Sequence, residues 1–318
     1  MAIKLGIISD PISGFNIKKD TGFAMMMAAQ ARGYELYYME LGDLFMYQGH
    51  AKATVAKAKV FDDTAHWYEL EDKQTIDLAD LDVILMRKDP PFDTEYIYAT
   101  YILERAEQAG CLVVNKPQSL RDANEKLFTA WFSEHTPDTL VTRSQVQIRE
   151  FLNKHQDIIL KPLDGMGGAS IFRVKHDDPN IGVICETLTE HGQRFAMAQQ
   201  YIPEITQGDK RVLVVDGEVI PYCLARIPQG GETRGNLAAG GRGEARPISE
   251  DDLKIAQAVA PTLKAKGLLF VGLDIIGNKL TEINVTAPTC VKEIEAAYDI
   301  SIMDKFYDAI EVKLAHTK

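Results

Sequence analysis

The chain has 318 residues, 46% hydrophobic and 25% charged, which is ordinary for a soluble globular protein and long enough for two or three domains around a large core. A formal net charge of −11 argues against nonspecific nucleic acid or an anionic membrane surface as the main partner, so an anionic ligand needs a local basic pocket in an acidic body. The four cysteines, Cys111, Cys185, Cys223 and Cys290, show neither CxxC nor Cys/His spacing, which points to free thiols of a cytoplasmic protein rather than a zinc site.

The N-terminus, MAIKLGIISDP, enters a strand at once, without signal-peptide anatomy, and no apolar run approaches membrane-spanning length. Residues 3–8 read as a buried strand, 20–32 as a helix closing at Gly33, and 34–39 as a second strand. Residues 42–78 are more polar, with VAKAKVFDD and HWYEL as excursion strands. A strand over 81–86, a helix over 94–109 and a strand over 111–115 follow. Strands alternating with helices imply a parallel sheet with covered faces, whose ligands gather beyond the carboxyl ends of the strands. Arg87 lies at such an end and is a candidate for a substrate carboxylate; a surface ion pair is the alternative.

From Ser119 the pattern predicts a helix through Phe132, with Lys126 inside it, and another helix over 145–154. The run DIILKPLDGMGGASIFRV then sets a strand, a glycine-rich turn and a second strand. Lys161 is polar within an apolar strand, and Gly165, Gly167 and Gly168 leave backbone N–H groups free to approach phosphate. A Rossmann fingerprint needs a helix after the glycines, and no Gly-Lys-Ser/Thr of a Walker A loop follows. A phosphate-covering hairpin accounts for Lys161 better than a plain turn does. FAMAQQYI, over 195–202, is a strand able to join two lobes and to offer backbone groups to a base.

Asp209, Lys210 and Arg211 begin a meander that turns at Asp216-Gly217 and returns through Arg226. The segment PQGGETRGNLAAGGRGE carries six glycines from Gly230 to Gly243, with Arg234 and Arg242. Over 227–243 it reads as a lid closing on phosphate, or else as a disordered surface loop.

After a helix over 250–266 comes LLFVGLDIIGNKLTEINVTAPT, two apolar strands broken by Asp274, Glu282 and Asn284. A two-residue loop pairs Asp274 with Thr281; a three-residue loop pairs it with Glu282 and sets Asn284 opposite Gly272, which leaves room for a ligand. Two carboxylates and an amide oxygen on one face suit Mg²⁺, with phosphate oxygens completing the shell; a solvated hairpin face is the alternative. Residues 291–315 are mainly helical.

Lys126, the KPLDGMGGASIF hairpin, AQQYI, the glycine-rich loop and LTEINVTAPT together resemble the ATP-grasp superfamily. RKDPPFDTEYIYATYILERAE, NKPQSLRDANEKLFTAWF and ARIPQGGETRGNLAAGGRGE make the chain similar, more narrowly, to the bacterial glutathione synthetases over nearly its whole length. The resemblance implies an α/β ATP-grasp fold in three parts: an N-terminal Rossmann-like domain over 1–122, a central lid domain over 123–202 and a C-terminal domain over 203–318. It implies ATP-dependent ligation of γ-glutamylcysteine and glycine through an acyl phosphate, by a cytoplasmic homotetramer. Lys126, Lys161, Gly167 and Gly168 are then expected at the phosphates, Gln199, Gln200, Tyr201 and Ile202 at the adenine, and Asp209 near the ribose. Asp274, Glu282 and Asn284 are expected to hold two Mg²⁺ ions, with Mn²⁺ as a substitute. Arg211, Arg226 and Arg234 are expected at the reacting groups, and Arg87 at the substrate carboxylate. Competing readings are another ATP-grasp ligase, acting on D-alanine or a protein terminus, a non-catalytic nucleotide-binding module, and, least supported, an NAD-dependent dehydrogenase.

Overall fold

The computed structural model describes residues 2–230, 235, 237 and 240–317. The first sheet contains β1 (Lys4–Ile8), β2 (Glu35–Met39), β3 (Leu44–Tyr47), β4 (His50–Val60), β5 (Tyr68–Leu70), β6 (Gln74–Asp77), β7 (Val83–Met86) and β8 (Leu112–Val114). Its order is β3-β4-β2-β1-β7-β8, with β5 and β6 also on β4. The β2-β1-β7-β8 part is parallel, and the polar excursion adds antiparallel strands at one side. Leu5, Ile7, Val83 and Leu85 are fully buried, as strands covered on both faces require.

The second sheet contains β9 (Thr139–Thr142), β10 (Asp157–Pro162), β11 (Phe172–Lys175) and β12 (Ala196–Gln200), in the antiparallel order β11-β10-β12-β9. It packs a core of its own around Ile148, Leu152, Ile158, Leu160 and Cys185, whereas the cores of the first and third sheets run into one another. The third sheet is β15-β14-β13-β16-β17, from β13 (Asp209–Val215), β14 (Glu218–Ile227), β15 (Arg242–Pro247), β16 (Phe270–Ile276) and β17 (Lys279–Asn284).

The helix expected over 119–132 is broken. A helix spans Pro117–Asp122, and a 3-10 segment over Leu127–His135 follows, with Lys126 at its cap rather than inside a helix. The Asn124 side chain causes the break by accepting from the amides of Lys126 and Leu127 at 3.2 and 2.9 Å, a local bond that competes with helix. Arg242, expected on a flexible loop, instead starts β15 and pairs with Ile227.

Asn115, 4% exposed just after β8, joins the first sheet to the third. Its amide donates to the carbonyls of Phe270 and Val285 at 2.8 and 2.7 Å, and its oxygen accepts from the Phe270 amide at 3.0 Å. The strands carrying the acidic residues thereby start and end at one fixed point.

Candidate active site

Between the second and third sheets lies a cavity of about 330 Å³. Its walls include Ile159 and Lys161 of β10, Gln199 of β12, Asp209 and Arg211 of β13, Arg226 of β14, Asp274 of β16, and Glu282 and Asn284 of β17. Lys126, Gly167, Gly168, Gln200, Tyr201 and Ile202 complete the expected residues found there. Arg234 lies outside the described residues, and with it part of the expected lid. Gly235 and Leu237 of that loop line the cavity. A Cβ at Gly235 would stand 2.3 Å from the Arg226 carbonyl, so only glycine allows this approach.

The hairpin reaches the register that pairs Asp274 with Glu282 and Gly272 with Asn284, but not through a three-residue loop. The turn is the two residues Gly277-Asn278, since Ile276 pairs with Lys279, and the register shifts by one between Asp274 and Ile275. Thr281 is the extra residue, and its hydroxyl donates to the Asp274 carbonyl at 3.1 Å, closing the bulge. Gly272 makes room for protein rather than ligand: a Cβ there would lie 2.6 Å from Arg211 Cδ and 2.9 Å from Pro288 Cβ.

Asp274, 2% exposed, sits between two guanidinium groups. Arg211 Nε and Nη2 donate to it at 2.5 and 3.1 Å, and Arg226 Nη2 lies at 2.8 Å. Burial opposes its charge, but the arginines prevail and hold its carboxyl well below the usual range. Asp209 accepts from Arg226 Nη2 at 2.5 Å, yet burial and the neighbouring Asp274 charge push it up to about 7. Arg211 thus has Asp274 as its main counter-charge, while Arg226 is shared between Asp209 and Asp274.

Lys126 and Lys161 converge on Glu282, with Nζ at 3.9 and 3.4 Å from its Oε1. Lys126 also donates to the Gly165 carbonyl at 3.1 Å. Burial pushes the Lys161 ammonium down against the attraction of Glu282. Gly165, Gly167 and Gly168 all have positive φ, 88°, 66° and 79°, which fixes the hairpin turn beside these cations.

The donor chemistry suits a divalent cation with oxygen ligands. Glu282 and Asn284 present oxygens on the face that carries Asp274, and Asp209 Oδ1 is a buried acceptor with no protein donor among the described residues. Asp274 faces the same cavity but is held by Arg211 and Arg226.

Arg87 stands outside this cavity. Its Nη2 donates to the Pro288 carbonyl at 2.9 Å and its Nη1 to that of Thr286 at 3.5 Å, while the group lies over the Phe270 ring. Glu125 is a site residue that sequence reasoning passes over. Its Oε1 accepts from the Val285 and Thr286 amides and the Thr286 hydroxyl at 2.9, 3.0 and 2.8 Å, and its carbonyl accepts from Ile283. The only signal was an acid beside Lys126, and its partners lie 160 residues away.

The fold is similar to D-cycloserine synthetase DcsG, with a TM-score of 0.68, 14% identity, and coverage of 99% of this chain and 100% of that one. It is also similar to D-alanyl-alanine synthetase A from Vibrio cholerae, with a TM-score of 0.60, 10% identity and 99% coverage of both chains. The profile described as "Prokaryotic glutathione synthetase, ATP-grasp domain" matches residues 125–299, and "Prokaryotic glutathione synthetase, N-terminal domain" matches 3–121. Glutathione synthetase of Salmonella typhimurium is 70% identical over 98% of this chain and 99% of its own, and that of Escherichia coli strain K12 is 68% identical over the same shares.

Fold and site together define an ATP-dependent ligase of the ATP-grasp class, which uses ATP and a divalent metal. Within that class, the chain belongs to the prokaryotic glutathione synthetase family. The fold class and the resemblance read from the motifs agree with these matches. Among the described residues, no helix is long and apolar enough to cross a membrane.

Proposed function

We propose that the protein joins the cysteinyl carboxylate of γ-L-glutamyl-L-cysteine to the amine of glycine, releasing glutathione, ADP and phosphate. The observation that carries this reading is the meeting of Lys126, Lys161, Arg211 and Arg226 with Asp274, Glu282 and Asn284 on one cavity. A carboxylate is a poor electrophile, and transfer of the ATP γ-phosphoryl group to it makes an acyl phosphate that an amine can attack. Such transfer is governed by positioning and electrostatics, which this set of charges supplies.

Lys126 and Lys161 bind the phosphates, and the amides of the turn at Gly167 and Gly168 cover them. Gln199, Gln200, Tyr201 and Ile202 hold the adenine, and Asp209 the ribose. Arg211 and Arg226 orient the donor carboxylate and steady the charge that develops on it, with Arg234 joining from the loop over 227–243. Leu237, on the cavity wall, supports that loop as a cover that excludes water. Asp274, Glu282 and Asn284 would hold two Mg²⁺ ions, which Mn²⁺ could replace, and bound cations there would supply charge neutralisation and polarisation at the phosphate oxygens. Arg87 is assigned to the substrate side of the turn it holds.

The reading divides the chain at 1–122, 123–202 and 203–318, and places the enzyme in the cytoplasm as a homotetramer, on family resemblance. Phosphate release from ATP, with substrates supplied singly and together, tests it. Release is expected only when γ-glutamylcysteine and glycine are both present. Equal release with D-alanine alone would assign the site to another ligase.

A further inference from the structure

Tyr201, directly after β12, lines the cavity at the end assigned to the base. Its amide donates to the Asp157 carbonyl at 3.1 Å. The Arg173 guanidinium lies over its ring, with Cζ 3.6 Å from the centroid. Asp157 also holds this guanidinium from the side: its two carboxylate oxygens accept from Nε at 3.0 Å and from Nη2 at 2.7 Å. One acid therefore fixes Tyr201 twice, through its own carbonyl on the backbone and through Arg173 on the ring.

The strand pattern puts Arg173 at the rim of the cavity. It pairs with Ile159 across β10 and β11, and Ile159 and Ile171 both line the cavity. Residues directly opposite on paired strands share a face, so Arg173 stands on the face that carries Ile159. The bidentate pair needs the planar fork of arginine, and so does stacking on an aromatic face. Lysine at this position could satisfy one of these demands but not both.

We propose that Arg173 is a positioning residue for the nucleotide: clamped by Asp157, it sets the plane of the Tyr201 ring against the base and so raises affinity for adenine nucleotides. The proposal rests on the reading that residues 199–202 hold the adenine. The side-chain contacts of Arg173 are to Asp157 and Tyr201, and none is to the lysines and arginines assigned to phosphate and acyl donor, so its effect is expected on nucleotide binding.

The test is calorimetric titration of ADP with Mg²⁺ into the wild type, R173A, R173K, Y201A and the double variant R173A/Y201A, with kcat measured at saturating ATP. R173A should weaken ADP binding about three- to fivefold, the size of a partly exposed cation–π contact. Its kcat should stay at the wild-type value and its thermal midpoint without nucleotide should fall by no more than about 3 °C, the size of one partly exposed ion pair, where a folding fault would cost far more. R173K should recover less than half of the loss, and R173A should add nothing once Tyr201 is alanine. Unchanged ADP affinity in R173A, with weakened binding in Y201A, would overturn the role of Arg173 alone. Additive losses in the double variant would also overturn it, because Arg173 would then act without the ring. Unchanged affinity in Y201A would overturn the base-site reading itself.

Discussion

Replacing Asp274 by asparagine keeps the shape of the side chain and removes one charge from a buried quartet. Asp209, Arg211, Arg226 and Asp274 are all at most 9% exposed, and their formal charges cancel. D274N leaves the two guanidinium groups, with contacts to Asp274 at 2.5, 2.8 and 3.1 Å, dependent on Asp209 alone. Removing one partner from a buried ion pair costs about 3–5 kcal/mol, and the Asp209 charge keeps this case near the lower figure. Urea denaturation of the ligand-free protein at neutral pH should therefore show a loss of about 3 kcal/mol, with phosphate release falling severely.

The pH dependence has a defined sign. Burial raises the Asp274 pKa but the two arginines depress it further, so its contribution is present above the unfolded carboxylate pKa of about 4 and is lost as pH falls toward the folded value. The Asp274 part of the gap between D274N and wild type should be full at pH 6 and begin to narrow below about pH 4. A second effect concerns Asp209, which loses a repelling neighbour. Its pKa, pushed up to about 7 in the wild type, should fall in the variant. In the wild type this raised value means stability lost as pH rises from about 4 to about 7, and D274N should show a weaker loss over that range. Wild-type stability of D274N at pH 6 would refute the claim that Asp274 is the counter-charge of the arginines.

Asn115→Ala should cost about 3 kcal/mol in urea denaturation, because it leaves the Phe270 amide and the Phe270 and Val285 carbonyls buried without partners. Gly272→Ala should cost about 2 kcal/mol and lower kcat, since the new methyl meets Arg211 Cδ and Pro288 Cβ at 2.6 and 2.9 Å. Glu125→Ala should reduce kcat about tenfold, whereas Glu125→Gln should be near normal, because all three donors bond to Oε1 and an amide oxygen can still accept them. Equal loss in both Glu125 variants would show that the charge, not the acceptor, holds the turn.

The sequence disclosed chemistry more readily than long-range geometry. Lys161 in an apolar strand and Asp274, Glu282 and Asn284 among apolar neighbours stood out because buried charge needs a partner, and the cavity brings them together. The hairpin register was one of two left open, and it is reached through the two-residue turn that had been tied to the other, because a bulge at Thr281 leaves no mark in local composition. Asn124 bends the chain before Lys126 through its own side chain, which helical periodicity does not weigh. Asn115 and Glu125 escaped because their partners lie 155 to 170 residues away, and Arg87 was singled out for a substrate carboxylate while its hold on the Pro288 carbonyl, 201 residues on, was not. Glu125 and Arg87 hold the turn around Thr286, a task that a chain read segment by segment cannot reveal. Asp209, read as a ribose contact, is also tied to Arg226, because strand pairing places the two opposite each other.

The acyl phosphate is the central chemical claim, and oxygen transfer tests it directly. γ-Glutamylcysteine labelled with ¹⁸O in its cysteinyl carboxylate is turned over with ATP, Mg²⁺ and glycine, and the released phosphate is analysed by mass spectrometry. Attack of that carboxylate on the γ-phosphorus leaves one of its oxygens on phosphorus when glycine displaces it, so the account predicts one ¹⁸O in each phosphate. Unlabelled phosphate, formed together with glutathione, would contradict it.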